Sequence, residues 1–243
     1  MIDSKKRSTA KALSWRAIAT IILGGISYFI TGDLHQTSII TITYHGIQLF
    51  AFFLHERIWN YIHWGRTRGI FIQMTGLSGS GKSTIAKLVQ RRMIKRGFRV
   101  EVIDGDEYRE GLCKDLGFSK EDRNINIRRL GFVGKILSRN DVVTIMSAIN
   151  PYEDVRREVR EMSDIVKTVF IDCDIEKLKE RDTKGLYRRA ILPDDHPEKI
   201  KNFTGISDPF DAPLVCDLTI NTTKDSVKQS ANKLEKFIVE NII

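Results

Sequence analysis

Eight residues, Gly-Leu-Ser-Gly-Ser-Gly-Lys-Ser at 76–83, carry the strongest chemical signal in the chain. They follow an apolar run that reads as a strand and enter a segment of helical spacing, the order that a phosphate-binding loop requires. Glycines let successive backbone N–H groups turn toward phosphate oxygens, and the helix N-terminus adds favourable partial charge. In this pattern Lys82 reaches the β and γ phosphates and the Ser83 hydroxyl ligates Mg²⁺. The expected nucleotide site is therefore Gly76, Ser78, Gly79, Ser80, Gly81, Lys82, Ser83 and Thr84. A second apolar run ends in Asp104-Gly105-Asp106. Alone, that tripeptide is a turn. At the carboxyl end of a strand, two carboxylates can hold Mg²⁺-bound water and accept a proton from a substrate hydroxyl. Arg109, Phe118, Arg123, Asn126, Arg128 and Arg129 follow, a density of forked cations with an aromatic ring that suits an anionic, planar acceptor.

These residues need a scaffold that places strand ends side by side. From Gly69 onward, short apolar runs at 70–74, 100–103, 142–146, 168–171 and 218–220 alternate with amphipathic stretches such as 83–96 and 124–138. The alternation predicts a parallel sheet covered by helices on both faces, a three-layer α/β domain. Four of the five prolines fall between 193 and 213, beside Lys184, Arg188 and Arg189. A loop-rich segment of that length inside a compact domain predicts a lid, with Lys184 as its substrate-touching residue.

The run at 104–129, Asp-Gly-Asp-Glu-Tyr-Arg-Glu-Gly-Leu-Cys-Lys-Asp-Leu-Gly-Phe-Ser-Lys-Glu-Asp-Arg-Asn-Ile-Asn-Ile-Arg-Arg, resembles adenylylsulfate kinase (APS kinase). Arg-Asp-Thr-Lys-Gly-Leu-Tyr-Arg-Arg-Ala at 181–190 and Asn-Phe-Thr-Gly-Ile at 202–206 are similar to that family's mobile substrate-covering segment, and the likeness spans 69–241. The resemblance implies a P-loop kinase domain that transfers the γ-phosphoryl group of ATP, with Mg²⁺, to the 3′-hydroxyl of adenosine 5′-phosphosulfate (APS), giving PAPS and ADP. It implies catalytic roles for Lys82, Asp104 and Asp106, with either aspartate as base. It places Arg109, Arg123, Asn126, Ile149, Asn150 and Lys184 against the acceptor and pairs Phe118 with Phe203 around its adenine. One departure stands out: many family members carry Ile-Ser-Pro where this chain has Ile149-Asn150-Pro151. Asn150 cannot carry a phosphoryl group as a serine ester, so direct in-line transfer is the expected route.

The N-terminal piece has a different character. Asp33 is the only charged residue between Arg16 and Glu56, which leaves uncharged runs of 16 and 22 residues. These predict a two-helix transmembrane hairpin, the first run needing extension through Trp15 and Arg16 to reach spanning length. Trp15, Trp59 and Trp64 sit at the outer ends, where aromatic rings suit the headgroup layer. Lys5, Lys6, Arg7, Lys11 and Arg16 on one side and Arg57, Arg66 and Arg68 on the other predict cytoplasmic termini and a kinase domain on the cytoplasmic face of the membrane. Thr41, Thr43, His45 and Gln48 are expected to face the first helix or another copy of the protein. Residues 4–66 resemble a small family of two-helix bacterial membrane domains of unknown function.

The expected organisation is thus an anchoring hairpin over 1–68 and a kinase domain over 69–243. Charge follows the same division. Of the net +8, residues 1–68 hold eight Lys/Arg against three Asp/Glu, or +5, and residues 69–243 hold 31 against 28, or +3. A nearly balanced catalytic domain argues against nucleic acid as a partner. Three cysteines without a CxxC pair argue against a disulfide framework or zinc site. Two alternatives remain: a kinase for another small hydroxyl compound, and a membrane nucleotide sensor or transporter partner whose kinase domain has lost turnover. Homo-oligomerisation is left open.

Overall fold

The computed structural model describes residues 5–61 and 68–242, and the chain divides into two compact units, 1–64 and 65–243. The first unit contains two long helices, α1 (Lys5–Thr31) and α2 (Leu34–Tyr61). Helix α1 runs past the 16-residue uncharged stretch, and two apolar windows, Ser14–Thr31 and Leu34–His55, are long enough to cross a membrane. Gly32 (φ +64°) and the Asp33 side chain, which accepts from the His35 N–H at 2.8 Å, make the turn. Between the helices Thr20 Oγ1 lies 3.0 Å from His45 Nε2, and Thr31 Oγ1 lies 3.1 Å from Thr37 Oγ1. His45 Nδ1 is also within 3.3 Å of Gln48 Oε1, whereas Thr43 is exposed. Polar groups thus meet across the seam, while large apolar residues such as Ile21, Phe29 and Ile42 are exposed. Trp64 and Arg66, used above for the topology, lie outside the described residues.

The second unit is built on five strands, β1 (Ile70–Thr75), β2 (Val100–Asp104), β3 (Val143–Ser147), β4 (Val166–Asp172) and β5 (Leu218–Asn221), all parallel in the order β2-β3-β1-β4-β5. The period-2 alternation of β1 feeds two cores. Ile70, Ile72 and Met74 pack on one face with Ile85, Val89 and Met93 of α3 (Lys82–Lys95) and with Leu234 and Ile238 of α9 (Val227–Ile242). Phe71 points the other way, joining Ile127 and Leu130 of α5 (Lys120–Arg139) and Val155 and Val159 of α6 (Glu153–Glu161). Helix α5 approaches closely enough that a Cβ at Gly134 would fall 2.5 Å from the Phe71 ring. Central strand β1 therefore delivers its C-terminal end, and the loop after it, into the middle of the sheet edge where open α/β sheets bind ligands. Short helices α4 (Gly105–Glu110), α7 (Ile175–Arg181) and α8 (Leu186–Ala190) line that edge.

Candidate active site

The loop from Gly76 to Gly81 opens directly from β1 into α3. At Gly76 (φ +149°) a Cβ would sit 2.5 Å from the Ile171 carbonyl oxygen, so only glycine lets the chain leave the strand this way. Gly76 N–H donates to the Ile149 carbonyl at 3.1 Å, tying the loop to the end of β3. Two side chains brace it from elsewhere. Thr222 Oγ1 donates to the Ser80 carbonyl (3.0 Å), and Tyr187 Oη donates to the Ser78 carbonyl (2.9 Å). Burial pushes the Tyr187 hydroxyl upward in pKa, which keeps it a donor. Neither bracing residue was assigned a role from the sequence; Tyr187 lay within a quoted motif, but nothing local says where a tyrosine points.

Lys82 is buried and folds back over the loop, with Nζ donating to the carbonyls of Gly76 (2.9 Å) and Leu77 (2.8 Å). Burial lowers its pKa to about 8, with Lys184 adding to the fall and Asp106, then Asp104, opposing it. A polyphosphate would relieve that desolvation, because it offers fixed negative charge at the same spot. Lys82, Ser83, Asp104 and Asp106 all line one cavity of about 190 Å³, together with Ser78, Gly79, Gly81, Thr84, Ile149 and Lys184. Ser83 Oγ lies 3.0 Å from Ser147 Oγ, a partner the sequence reading did not anticipate. Asp104 caps α4 by accepting from the Asp106 N–H at 3.0 Å, and Asp106 is ion-paired with Lys184. One hydroxyl and two carboxylates form an all-oxygen donor set that fits Mg²⁺, which takes few protein ligands and keeps positions for phosphate and water.

A second cavity, about 90 Å³, adjoins the first: Asp106, Ala148 and Ile149 line both. Its other walls include Arg109, Phe118, Arg123, Asn126 and Asn150. Phe118 is 64% exposed and takes the Arg109 guanidinium over its ring at 4.5 Å. Burial and then neighbouring Arg123 lower the Arg109 pKa, a crowding of cations that an anion would relieve. Arg123 donates to Thr204 Oγ1 and the Asn202 carbonyl, and lies 3.6 Å from Asp208. All three partners belong to the proline-rich segment, which Arg123 thus ties to the second cavity, while Lys184, ahead of that segment, is tied to Asp106 on the wall of the first.

Two sequence expectations need correction, and two further arginines near Lys184 lie outside both cavities. Arg128 and Arg129 do not join the cation cluster: Arg128 pairs with Glu158 (2.7 Å) and Arg129 with Asp115 (2.6 Å), both at the surface. The helical rotation of about 100° per residue that brings Arg123 and Asn126 inward carries these two around. Arg188 and Arg189 line neither cavity. Phe203 does not line the second cavity with Phe118; it is buried edge-on against Tyr187, ring centroids 5.0 Å apart, in a small core with Leu178 and Ala190.

Residues 68–221 match the model of the adenylylsulphate kinase family. The chain belongs to that family. Residues 9–60 match a second model, described as a predicted membrane protein domain, DUF2061. An adenylyl-sulfate kinase of Halothermothrix orenii is 42% identical over 173 residues, covering 71% of this chain and 91% of the relative. Among solved structures, an APS kinase of Mycobacterium tuberculosis in complex with AMPPNP and APS is 36% identical, with a TM-score of 0.65, covering 72% of this chain and 99% of the other. A hexameric APS kinase from Thiobacillus denitrificans is 27% identical, with a TM-score of 0.53, covering 72% of this chain and 29% of the other. The second unit is thus an adenylylsulphate kinase fold with its two adjoining cavities at the carboxyl edge of the sheet.

Proposed function

We propose that this kinase transfers the γ-phosphoryl group of ATP to the 3′-hydroxyl of APS, releasing PAPS and ADP. The observation that carries the reading is the pair of adjoining cavities, one built on the phosphate-binding loop and one on two arginines and an exposed phenylalanine, with Asp106 on their common wall. ATP lies with its phosphates on the 76–84 loop, where Lys82 exchanges two backbone carbonyls for β and γ oxygens. Mg²⁺ would be held by Ser83, with Asp104 and Asp106 nearby, and would neutralise charge on the transferring phosphoryl group. APS lies with its phosphosulfate toward Arg109 and Arg123 and its adenine on Phe118, Asn126 and Asn150 closing the pocket.

The reacting hydroxyl then belongs at the common wall. An aspartate there, Asp106 or Asp104, accepts its proton as the oxygen attacks the γ phosphorus and the bond to the β-phosphate oxygen breaks. Asn150 offers no hydroxyl, so the phosphoryl group passes directly between the two nucleotides in a ternary complex. Cavities of about 190 and 90 Å³ are smaller than ordinary ligand pockets of roughly 300–1,000 Å³. In this reading the contacts of the 184–208 segment with Asp106 and Arg123 give way to substrate on binding, and its closure over both nucleotides excludes water.

The hairpin tethers this activity to a membrane, both termini cytoplasmic, and assembly of copies into a homo-oligomer is a second role we assign to it. Its support is the DUF2061 match and two apolar spans whose large side chains are exposed. Purified full-length protein supplied with ATP, Mg²⁺ and APS should form PAPS and ADP in equal amounts and sediment with membranes before detergent treatment. ATP binding without PAPS formation would support the nucleotide-sensor alternative.

A further inference from the structure

One wall of the acceptor cavity is built more elaborately than packing requires. Asn150 is 1% exposed and holds a left-handed backbone (φ +46°), a conformation that asparagine tolerates better than most residues. Its carbonyl accepts from Thr75 Oγ1 (2.9 Å) and from the Arg156 guanidinium (2.7 Å). Arg156 has no exposed surface, and it also donates to the Asp211 carbonyl (2.6 Å) and pairs with Glu153 (2.7 Å). These contacts fix the Asn150 backbone.

The side-chain amide is fixed from the other direction. Gln73, fully buried on β1, donates from Nε2 to the Arg156 carbonyl (3.0 Å) and to Thr168 Oγ1 (2.9 Å). A carbonyl can only accept, so the Gln73 amide fits one way round, with Oε1 turned toward Asn150. Asn150 must answer with its Nδ2, which donates to Gln73 Oε1 at 3.3 Å. Its Oδ1 is buried and has no partner; the Oδ1 of Asn126, on the same cavity, is left in the same state. Buried acceptors without donors cost stability unless a ligand or a bound water completes them.

We infer that Asn150 determines the acceptor's base: its Oδ1 is a fixed hydrogen-bond acceptor for the exocyclic amine of the purine, and Gln73 is the positioning residue that prevents the amide from flipping. The inference rests on the proposed reading of this cavity as the APS site. Asp106, Ala148 and Ile149 line both cavities, so the reacting hydroxyl belongs with them; of the residues that line the acceptor cavity alone, Arg109 and Arg123 are the cations suited to the phosphosulfate, which leaves neutral Asn150 for the base.

The test uses steady-state kinetics of the full chain with APS and with its analogue in which hydrogen replaces the exocyclic amine. The parent should show a KM for the analogue about tenfold above that for APS, the scale of one lost hydrogen bond. Asn150→Ala should abolish this discrimination. Gln73→Leu should reduce it at least about threefold while leaving the KM for ATP unchanged, and the double variant should discriminate no differently from Asn150→Ala. A general loss of folding would move the ATP KM as well, and Asn150→Ser, which shortens the side chain beyond reach of Gln73, should reproduce the alanine result. Equal use of both acceptors by the parent, or discrimination that survives in Asn150→Ala, would overturn the inference. Failure of the parent to phosphorylate APS at all would instead remove the reading beneath it, and the inference with it.

Discussion

The proposed donor and acceptor halves of the site are built by different means. On the donor side, the phosphate-binding loop is a contiguous stretch between a central strand and a helix, held by hydrogen bonds to its own carbonyls and to Ile149. On the acceptor side, Arg109, Phe118, Arg123 and Asn150 arrive from separate segments, and Arg123 is engaged by Asn202 and Thr204 of the proline-rich segment. The contrast teaches that the donor half has its backbone in place and needs only the Lys82 ammonium to change partners, whereas the acceptor half must draw Arg123 away from a distant segment. Effects of substitution should divide accordingly.

Asp106, shared by both halves, should show the largest effect. Asp106→Asn keeps the shape but removes the proton acceptor and the partner of Lys184, and kcat should fall by about 10²–10⁴-fold with the KM for ATP little changed, measured by initial rates of PAPS formation. A loss confined to KM would shift the base to Asp104. Phe118→Ala comes next. Stacking is worth roughly 1–3 kcal/mol per base, so the KM for APS should rise by about 5- to 150-fold while the KM for ATP stays put. Movement of both constants would break the division between halves.

The donor half carries a pH signature. Lys82 is held at about 8 in the free protein by burial, and bound phosphate raises it. Below pH 8 the lysine is protonated in both states and the Kd for ATP should be flat. Above it, binding must take up a proton, so Kd should climb toward tenfold per pH unit until the bound-state value is reached. Calorimetry in buffers of different ionisation enthalpy reads the proton directly, and Lys82→Arg should flatten the profile. Smallest of all, Arg128→Ala and Arg129→Ala should leave both KM values within about twofold, since these arginines pair at the surface, where ion pairs contribute little.

How much of this was legible beforehand follows the same division. Residues 76–84 are adjacent in sequence and in space, so spacing alone was enough to propose a donor loop, and the alternating apolar runs anticipated the parallel sheet with strand ends displaced by one or two residues. The acceptor side was legible only as a composition. Nothing in a run of arginines says that Arg123 turns inward while Arg128 and Arg129 turn out; that depends on the helix's rotation against α6. Phe203 was paired with Phe118 by resemblance alone, and the small core it shares with Tyr187 depends on how the loop folds back onto α8. Arg156 and Gln73 were invisible for a further reason, since their roles are defined by carbonyls contributed from Asn150, Asp211 and Arg156 itself, and backbone groups leave no mark in a sequence. In the hairpin, length and charge silence were legible, and the Thr20–His45 pairing required the register of α1 on α2.

The central claim is that two nucleotides lie side by side and exchange the phosphoryl group without a covalent stop on the protein. Initial rates measured over a grid of ATP and APS concentrations test it most directly. Intersecting double-reciprocal lines, with no radiolabel retained on the protein after incubation with γ-labelled ATP alone, are the predicted result. Parallel lines and a labelled protein that passes its phosphate to APS would contradict it.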